Sequence, residues 1–243
     1  GLKDMGRKIL GLDIRYDAVS AVVVKSSMSG SWIESYARVP ISVKEASFEE
    51  ELKRSLEAIC GPIDITNAVC IVALPAIDVT YRNLKAPFKE VKKVRQILPF
   101  ELETDLPYQA EDIVFDFNML EVSLETDTPQ LFAAAIEKQH STVLIDLLNS
   151  FNIEPDILTI GGYAMGQYLS LLSGEKHCQV FLDFDDIYTT MVLSLSGDVC
   201  LVRTFSMVAS DKSKSHAICS QIKRTLLAFE QKTRLACDID EIR

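Results

Sequence analysis

Two pairs of side chains in this sequence share one spacing and could do chemistry together. Asp13 stands seven residues before Ser20, and Asp183 stands seven before Thr190. Each aspartate closes an apolar run, ILGLD at 9–13 and VFLD at 180–183, and each hydroxyl falls in the apolar run that follows. A strand that ends in a carboxylate, a short turn and a second strand, supplied twice, is what a protein needs to close two lobes around a phosphate. The turns themselves read against that use. The first is Asp13-Ile14-Arg15 and the second Asp183-Phe184-Asp185.

The elements that must position these residues are also written twice. Residues 8–40 and 178–207 each read as three apolar strands separated by polar turns, with an arginine in the third, Arg38 or Arg203. In the first unit, 46–60 places Phe48, Leu52, Leu56 and Ile59 at helical spacing, which predicts an amphipathic helix. NAVCIVALP at 67–75 is a continuous β-branched and apolar run, the pattern of a strand buried on both faces of a sheet. The order is β-β-β-α-β. The second unit repeats it through a helix at 213–235, carrying Ile218, Ile222, Leu226 and Phe229 on one stripe, and then CDIDEIR approaches a strand. Measured by its own repeat, the second unit lacks at least one strand, and the chain reads as a fragment of a longer protein.

Between the units, 77–85 and 112–122 alternate like strands, with Ile113, Phe115 and Phe117 on one face of the latter. Residues 88–103 read as a helix containing Pro99, LFAAAI after Pro129 as a buried strand, and 138–151 as a helix. This piece predicts a small α+β subdomain. A strand at 155–160 and a helix at 163–172 then lead into the second unit. The expected domains are a first lobe at 5–75, an inserted subdomain at 76–151 and an incomplete second lobe at 152–243.

With 243 residues, 48% apolar and 25% charged, the chain has the composition of a soluble globular protein. A net charge of −10 excludes a nucleic-acid surface, which needs clustered Lys and Arg. The run KEVKKVR at 89–95 reads as a solvated helix face or a patch for an acidic partner. Six cysteines without a CxxC pair read as small core hydrophobes in a reducing, cytoplasmic setting. Three scattered histidines offer no metal-ligand spacing, and no apolar run approaches the roughly 20 residues of a membrane span. Gly1–Asp4 ahead of Met5 reads as foreign to a natural start at Met5.

Two β-β-β-α-β units with a subdomain inserted between them resemble the actin-like, ribonuclease H-like ATPase fold. Within it the sequence is similar to the cytoplasmic assembly proteins PilM, of type IV pili, and GspL, of type II secretion. The residues that carry the likeness are ILGLDI at 9–14, IVALPAIDVTYRNLKAP at 71–87 and FELETDLPYQAEDIVFDFNML at 100–120. The resemblance implies a strand, an Asp-x-Gly turn and a Ser or Thr in each lobe, with the glycine letting backbone N–H groups reach phosphate oxygens. Asp13, Arg15, Ser20, Asp183 and Thr190 fall on that pattern, but neither turn keeps its glycine. Arg15 could pair with a phosphate. Asp185 would repel one by about 4 kcal/mol, taking two charges 4 Å apart at an effective dielectric of about 20. These five residues therefore read as a vestigial nucleotide site, no cofactor is expected, and Mg-ATP is the alternative.

Other signals resolve into structure. Gly161-Gly162 reads as a tight strand-to-helix turn. Glu101, Glu103 and Asp105 read as an exposed helix face without a catalytic partner, and Trp32 with Tyr36 as hairpin packing. The resemblance implies a non-catalytic scaffold on the cytoplasmic face of a bacterial inner membrane. Its implied partners are a cytoplasmic secretion ATPase and inner-membrane components in a GspL-like role. The alternative is a PilM-like role that binds ATP and a cytoplasmic peptide of an inner-membrane protein. A homodimer is compatible with either. The expected docking region is a groove near residues 75–120, with an acidic surface drawing a Lys- or Arg-bearing partner.

Overall fold

The computed structural model describes residues 7–42, 46–124, 127–172, 178–206, 213–239 and 241–242. The Gly1–Asp4 segment and Met5 lie outside them. In chain order the first elements are β1 (Arg7–Ile14), β2 (Ala18–Ser27), β3 (Gly30–Pro40), α1 (Phe48–Cys60), β4 (Val69–Leu74) and β5 (Thr80–Lys85). Then come α2 (Val91–Glu103), β6 (Ile113–Met119), β7 (Gln130–Glu137), α3 (Lys138–Asn149), β8 (Pro155–Ile160) and α4 (Tyr163–Leu172). The last are β9 (Cys178–Phe184), β10 (Tyr188–Leu195), β11 (Asp198–Ser206), α5 (Ser213–Thr233) and the short β12 (Glu241–Ile242). The chain forms two compact units, Gly1–Pro75 with Thr142–Gly161, and Ala76–Ser141 with Gly162–Arg243.

The first unit is a five-stranded sheet in the order β3-β2-β1-β4-β8. β1, β2 and β3 form an antiparallel meander, while β4 runs parallel to β1 and β8 parallel to β4. Alternation along β1 and β2 buries Leu10, Leu12, Ile14, Val19, Ala21 and Val23, the period-two pattern of a sheet with one face on the core. α1 presents Leu52, Leu56 and Ile59 as its buried stripe. It starts at a capping box: Ser47 Oγ accepts from the Glu50 N–H, and the Glu50 carboxylate accepts from the Ser47 N–H. Two donors that a helix start leaves without partners are thereby satisfied.

Strand 155–160, expected to lead into the second unit, pairs with β4 instead. Asp156 Oδ2 accepts the Cys70 N–H at 2.8 Å, and the Gly161 N–H donates to Leu74 O at 2.9 Å. Periodicity marks a strand but not its neighbour, so only the long-range pairing places it. β3 is an edge strand, and Trp32 and Tyr36 on it are exposed rather than packed.

The second unit contains two sheets. β9, β10, β11 and β12 form one in the order β11-β10-β9-β12, with β12 parallel to β9. β10, one of its two interior strands, is buried along its whole length. The other sheet, β5-β7-β6, is antiparallel. α2 covers it through Val94, Leu98 and Leu102 against Leu131, Ala133 and Ala135, and the helix runs through Pro99 without ending. Polar bonds join the two sheets: Asn83 Nδ2 donates to Cys200 O at 2.7 Å and the Glu121 N–H to Asp198 Oδ2 at 3.0 Å. Tyr81 on β5, Phe132 on β7 and Tyr163 on α4 stack in sequence with centroids 6.0 and 6.4 Å apart.

Candidate functional site

The seven-residue spacing is a hairpin register. Asp13 lies directly opposite Ser20 across β1 and β2, and Asp183 directly opposite Thr190 across β9 and β10. Directly opposed residues of antiparallel strands point to the same face, so each hairpin brings its carboxylate and its hydroxyl together. Asp13, Arg15 and Ser20 belong to the first unit, Asp183 and Thr190 to the second.

In the first hairpin the Arg15 guanidinium folds back onto the aspartate, with Nε 2.8 Å from Asp13 Oδ2. Both side chains are partly buried, which strengthens the pair over an exposed one. The backbone N–H of Arg15 donates to Ala18 O at 3.0 Å and closes the turn. Two residues that the spacing argument passed over complete the cluster. Arg38 reaches Ser20 Oγ through Nη1 and Asp17 Oδ2 through Nη2, each at 3.3 Å. Asp17 is about nine-tenths buried, and its Oδ1 has no hydrogen-bond partner among the described residues. Arg38 carried a signal, as the arginine of the third strand; Asp17 carried none.

In the second hairpin the arginine goes elsewhere: Arg203 Nη1 donates to Thr225 Oγ1 on α5 at 3.1 Å. The turn is held by its own aspartate. Asp185 Oδ1 accepts the N–H groups of Ile187 and Tyr188, each at 2.6 Å, and the Asp185 N–H donates to Tyr188 O at 3.1 Å. This is an Asx-type turn, in which a short carboxylate satisfies the backbone just ahead of it. Thr190 is buried beneath it.

Gly162 belongs to this second cluster, a juxtaposition that sequence spacing does not reveal. Gly162 has φ +79°, and a Cβ built there would lie 3.3 Å from Thr190 Cγ2 and 3.6 Å from Asp183 Oδ2. Backbone therefore runs close over the pair at the start of α4. Next along the chain, burial pushes the Tyr163 hydroxyl above its ordinary pKa, and that hydroxyl accepts from Asn118 Nδ2 at 2.6 Å.

These residues do not fit a phosphate and its metal ion. A phosphate turn needs backbone N–H groups that are open to the ligand. Here the N–H groups of Arg15, Asp185, Ile187 and Tyr188 all bond within their own turns. Arg15 already supplies Asp13 with a counter-charge, at Asp13 Oδ2. Among the described residues no group of three or more His, Cys, Asp or Glu side chains could hold a metal. Glu101, Glu103 and Asp105 are exposed, and Asp105 pairs with Arg82.

The mixed sheets and the paired hairpins define a class, the actin-like ATPase fold. A solved Bacteroides thetaiotaomicron protein of that fold and of unknown function superposes with a TM-score of 0.55 at 11% identity, covering 98% of this chain and 91% of that one. The cytoplasmic domain of EpsL, an inner-membrane component of the type II secretion system of Vibrio cholerae, gives 0.52 at 13% identity over 82% of this chain and 71% of that one. A PilM-PilN type IV pilus biogenesis complex gives 0.65 at 21% identity, over 93% and 69%. No sequence among the curated proteins matches the chain. The family model for type IV pilus assembly protein PilM matches residues 11–201, and the chain belongs to that family.

Proposed function

We propose that this chain is a non-catalytic scaffold of a type IV pilus assembly platform, working at the cytoplasmic face of a bacterial inner membrane. It would hold a cytoplasmic segment of an inner-membrane partner of the PilN kind. Family membership across 11–201 supports the assembly role, and the observation that carries the non-catalytic part is the pair of self-bonded hairpin turns. No helix among the described residues is long and apolar enough to cross a membrane. The likeness in fold to the EpsL cytoplasmic domain keeps type II secretion, with a cytoplasmic ATPase as partner, as the second reading. The lobes are read as two β-β-β-α-β units of common design, with β9, β10, β11, α5 and β12 repeating the order β1, β2, β3, α1 and β4.

The docking surface we favour lies on the inserted subdomain. α2 and β5 enclose an apolar cleft of about 170 Å³, lined by Leu84, Val94, Ile97, Leu98 and Leu131 with Lys85 and Glu101 among its walls. That volume takes an aliphatic side chain or two. An extended or helical peptide could insert such an anchor and lay its remaining length along the exposed Phe88 and Val91.

A labelled cytoplasmic peptide of the partner, titrated into the chain by fluorescence polarisation with and without Mg-ATP, tests this. Saturable binding that ignores nucleotide and weakens on Phe88→Glu, a change at an exposed position, is expected. Binding only in the presence of Mg-ATP, or steady ATP turnover by the chain, would overturn the proposal.

A further inference from the structure

We infer that each hairpin turn carries its own built-in ligand: the Arg15 guanidinium takes the place of a cation on Asp13, and the Asp185 carboxylate takes the place of an anion on the N–H groups of its turn. The inference deepens the nucleotide-independent part of the scaffold reading and rests on it. The two residues occupy the same position in the repeat, two after the strand-ending aspartate, yet carry opposite charges. Each charge has the sign that its own hairpin calls for.

In the first hairpin the negative group is Asp13, and a guanidinium 2.8 Å from its Oδ2 is a full counter-charge supplied from two residues away. In the second hairpin the demand is for an acceptor. The Ile187 and Tyr188 N–H groups converge on one point 2.6 Å from each nitrogen, and Asp185 Oδ1 sits there. Consecutive N–H groups that converge in this way form an anion-binding concavity. A carboxylate oxygen fills it as a phosphate oxygen would, in a charge-assisted and therefore strong pair of bonds. Because both ligands are covalently part of the chain, their local concentration never falls, and the turns keep one conformation whatever the nucleotide level. The loss of glycine is then a replacement rather than a decay.

The test uses thermal melts of the wild type, Arg15→Gln, Asp185→Ala and Asp185→Asn. Each is run with and without millimolar magnesium chloride or potassium phosphate, at matched ionic strength. The wild type should respond to neither probe. Asp185→Ala should melt lower by about 4–8 °C and regain at least half of that in phosphate, which enters the vacated concavity. Asp185→Asn keeps an Oδ1 acceptor and should stay near the wild type with no phosphate response. Arg15→Gln should melt lower and be raised by magnesium. A wild type stabilised by phosphate or magnesium as strongly as the variants would overturn the inference, as would variants that lose stability and regain none. Should Asp185→Ala fail to fold, amide shifts of Ile187 and Tyr188 in the wild type titrated with phosphate decide the point: unmoved supports it, saturable movement overturns it. A wild-type response would leave partner binding intact, whereas failed peptide binding would remove the scaffold reading and leave these turns as described.

Discussion

At Gly166 α4 lies close against Val192 of β10, and replacing the glycine with alanine gives a measurable penalty. A Cβ at that position would lie 2.6 Å from Val192 Cγ1 and 3.2 Å from Val192 Cβ. Carbon atoms in contact sit about 3.5–4.0 Å apart, so roughly 1 Å must be found. Val192 cannot easily yield it, because the residue is fully buried in an interior strand and its β-branch makes χ1 stiff. The helix must move off the sheet or a side chain must leave its rotamer, at a cost of about 1–3 kcal/mol. Alanine returns about 0.5–1 kcal/mol through its better helix propensity. The net expectation is a loss of about 0–2.5 kcal/mol, centred near 1 kcal/mol, and for a chain of this size each kcal/mol lowers Tm by about 2–4 °C. Urea unfolding followed by circular dichroism measures it. Val192→Ala removes the obstructing methyl groups and should cost about 1–3 kcal/mol alone. The double variant should lose less than the two singles together, by about 1 kcal/mol, because the new methyl fills the space left by the valine. A Gly166→Ala variant as stable as the wild type, or a strictly additive pair, would refute the steric reasoning.

Three further outcomes follow from local chemistry. Ser47→Ala removes the acceptor of the α1 capping box and should lower stability by about 1 kcal/mol, read as a shift in urea midpoint with an unchanged slope. The Lys8 ammonium, aided by Thr66, holds the Asp64 carboxyl well below the usual carboxylate range. Its folded pKa lies below the unfolded one, so the pair's contribution is present above about pH 4 and lost as pH falls further. Lys8→Gln should flatten the acid limb of a stability-against-pH curve, and an unchanged limb would contradict the pairing. Burial raises the thiol pKa values of Cys60, Cys70 and Cys200. Stability from these neutral thiols is intact below about pH 8.5 and should decline as pH rises above it. The exposed Cys219 should accordingly react with a thiol reagent much faster than Cys200.

Much of the local order was legible because it depends on periods of two and 3.6. The helix stripe of Leu52, Leu56 and Ile59 and the alternation along β1 and β2 both follow from which side chains must leave water. The seven-residue spacing likewise translated directly into the opposition of Asp13 to Ser20 and of Asp183 to Thr190. Edge position was not legible in the same way. Trp32 and Tyr36 look like packing residues by composition, and only the sheet order leaves them exposed on β3.

By itself, then, the sequence determined the elements, the two Asp–hydroxyl hairpins and the absence of glycine in their turns, since these are local properties of residue type and spacing. Tertiary structure alone decided that β8 completes the first sheet, that the inserted sheet packs with β9–β12, and that Gly162 lies over Asp183. It also decided what the replacements for glycine do: Arg15 bonds to Asp13, and Asp185 bonds to its own turn. Those outcomes rest on contacts between residues far apart in the chain, or on the direction a side chain takes at a turn. Neither leaves a period in the sequence.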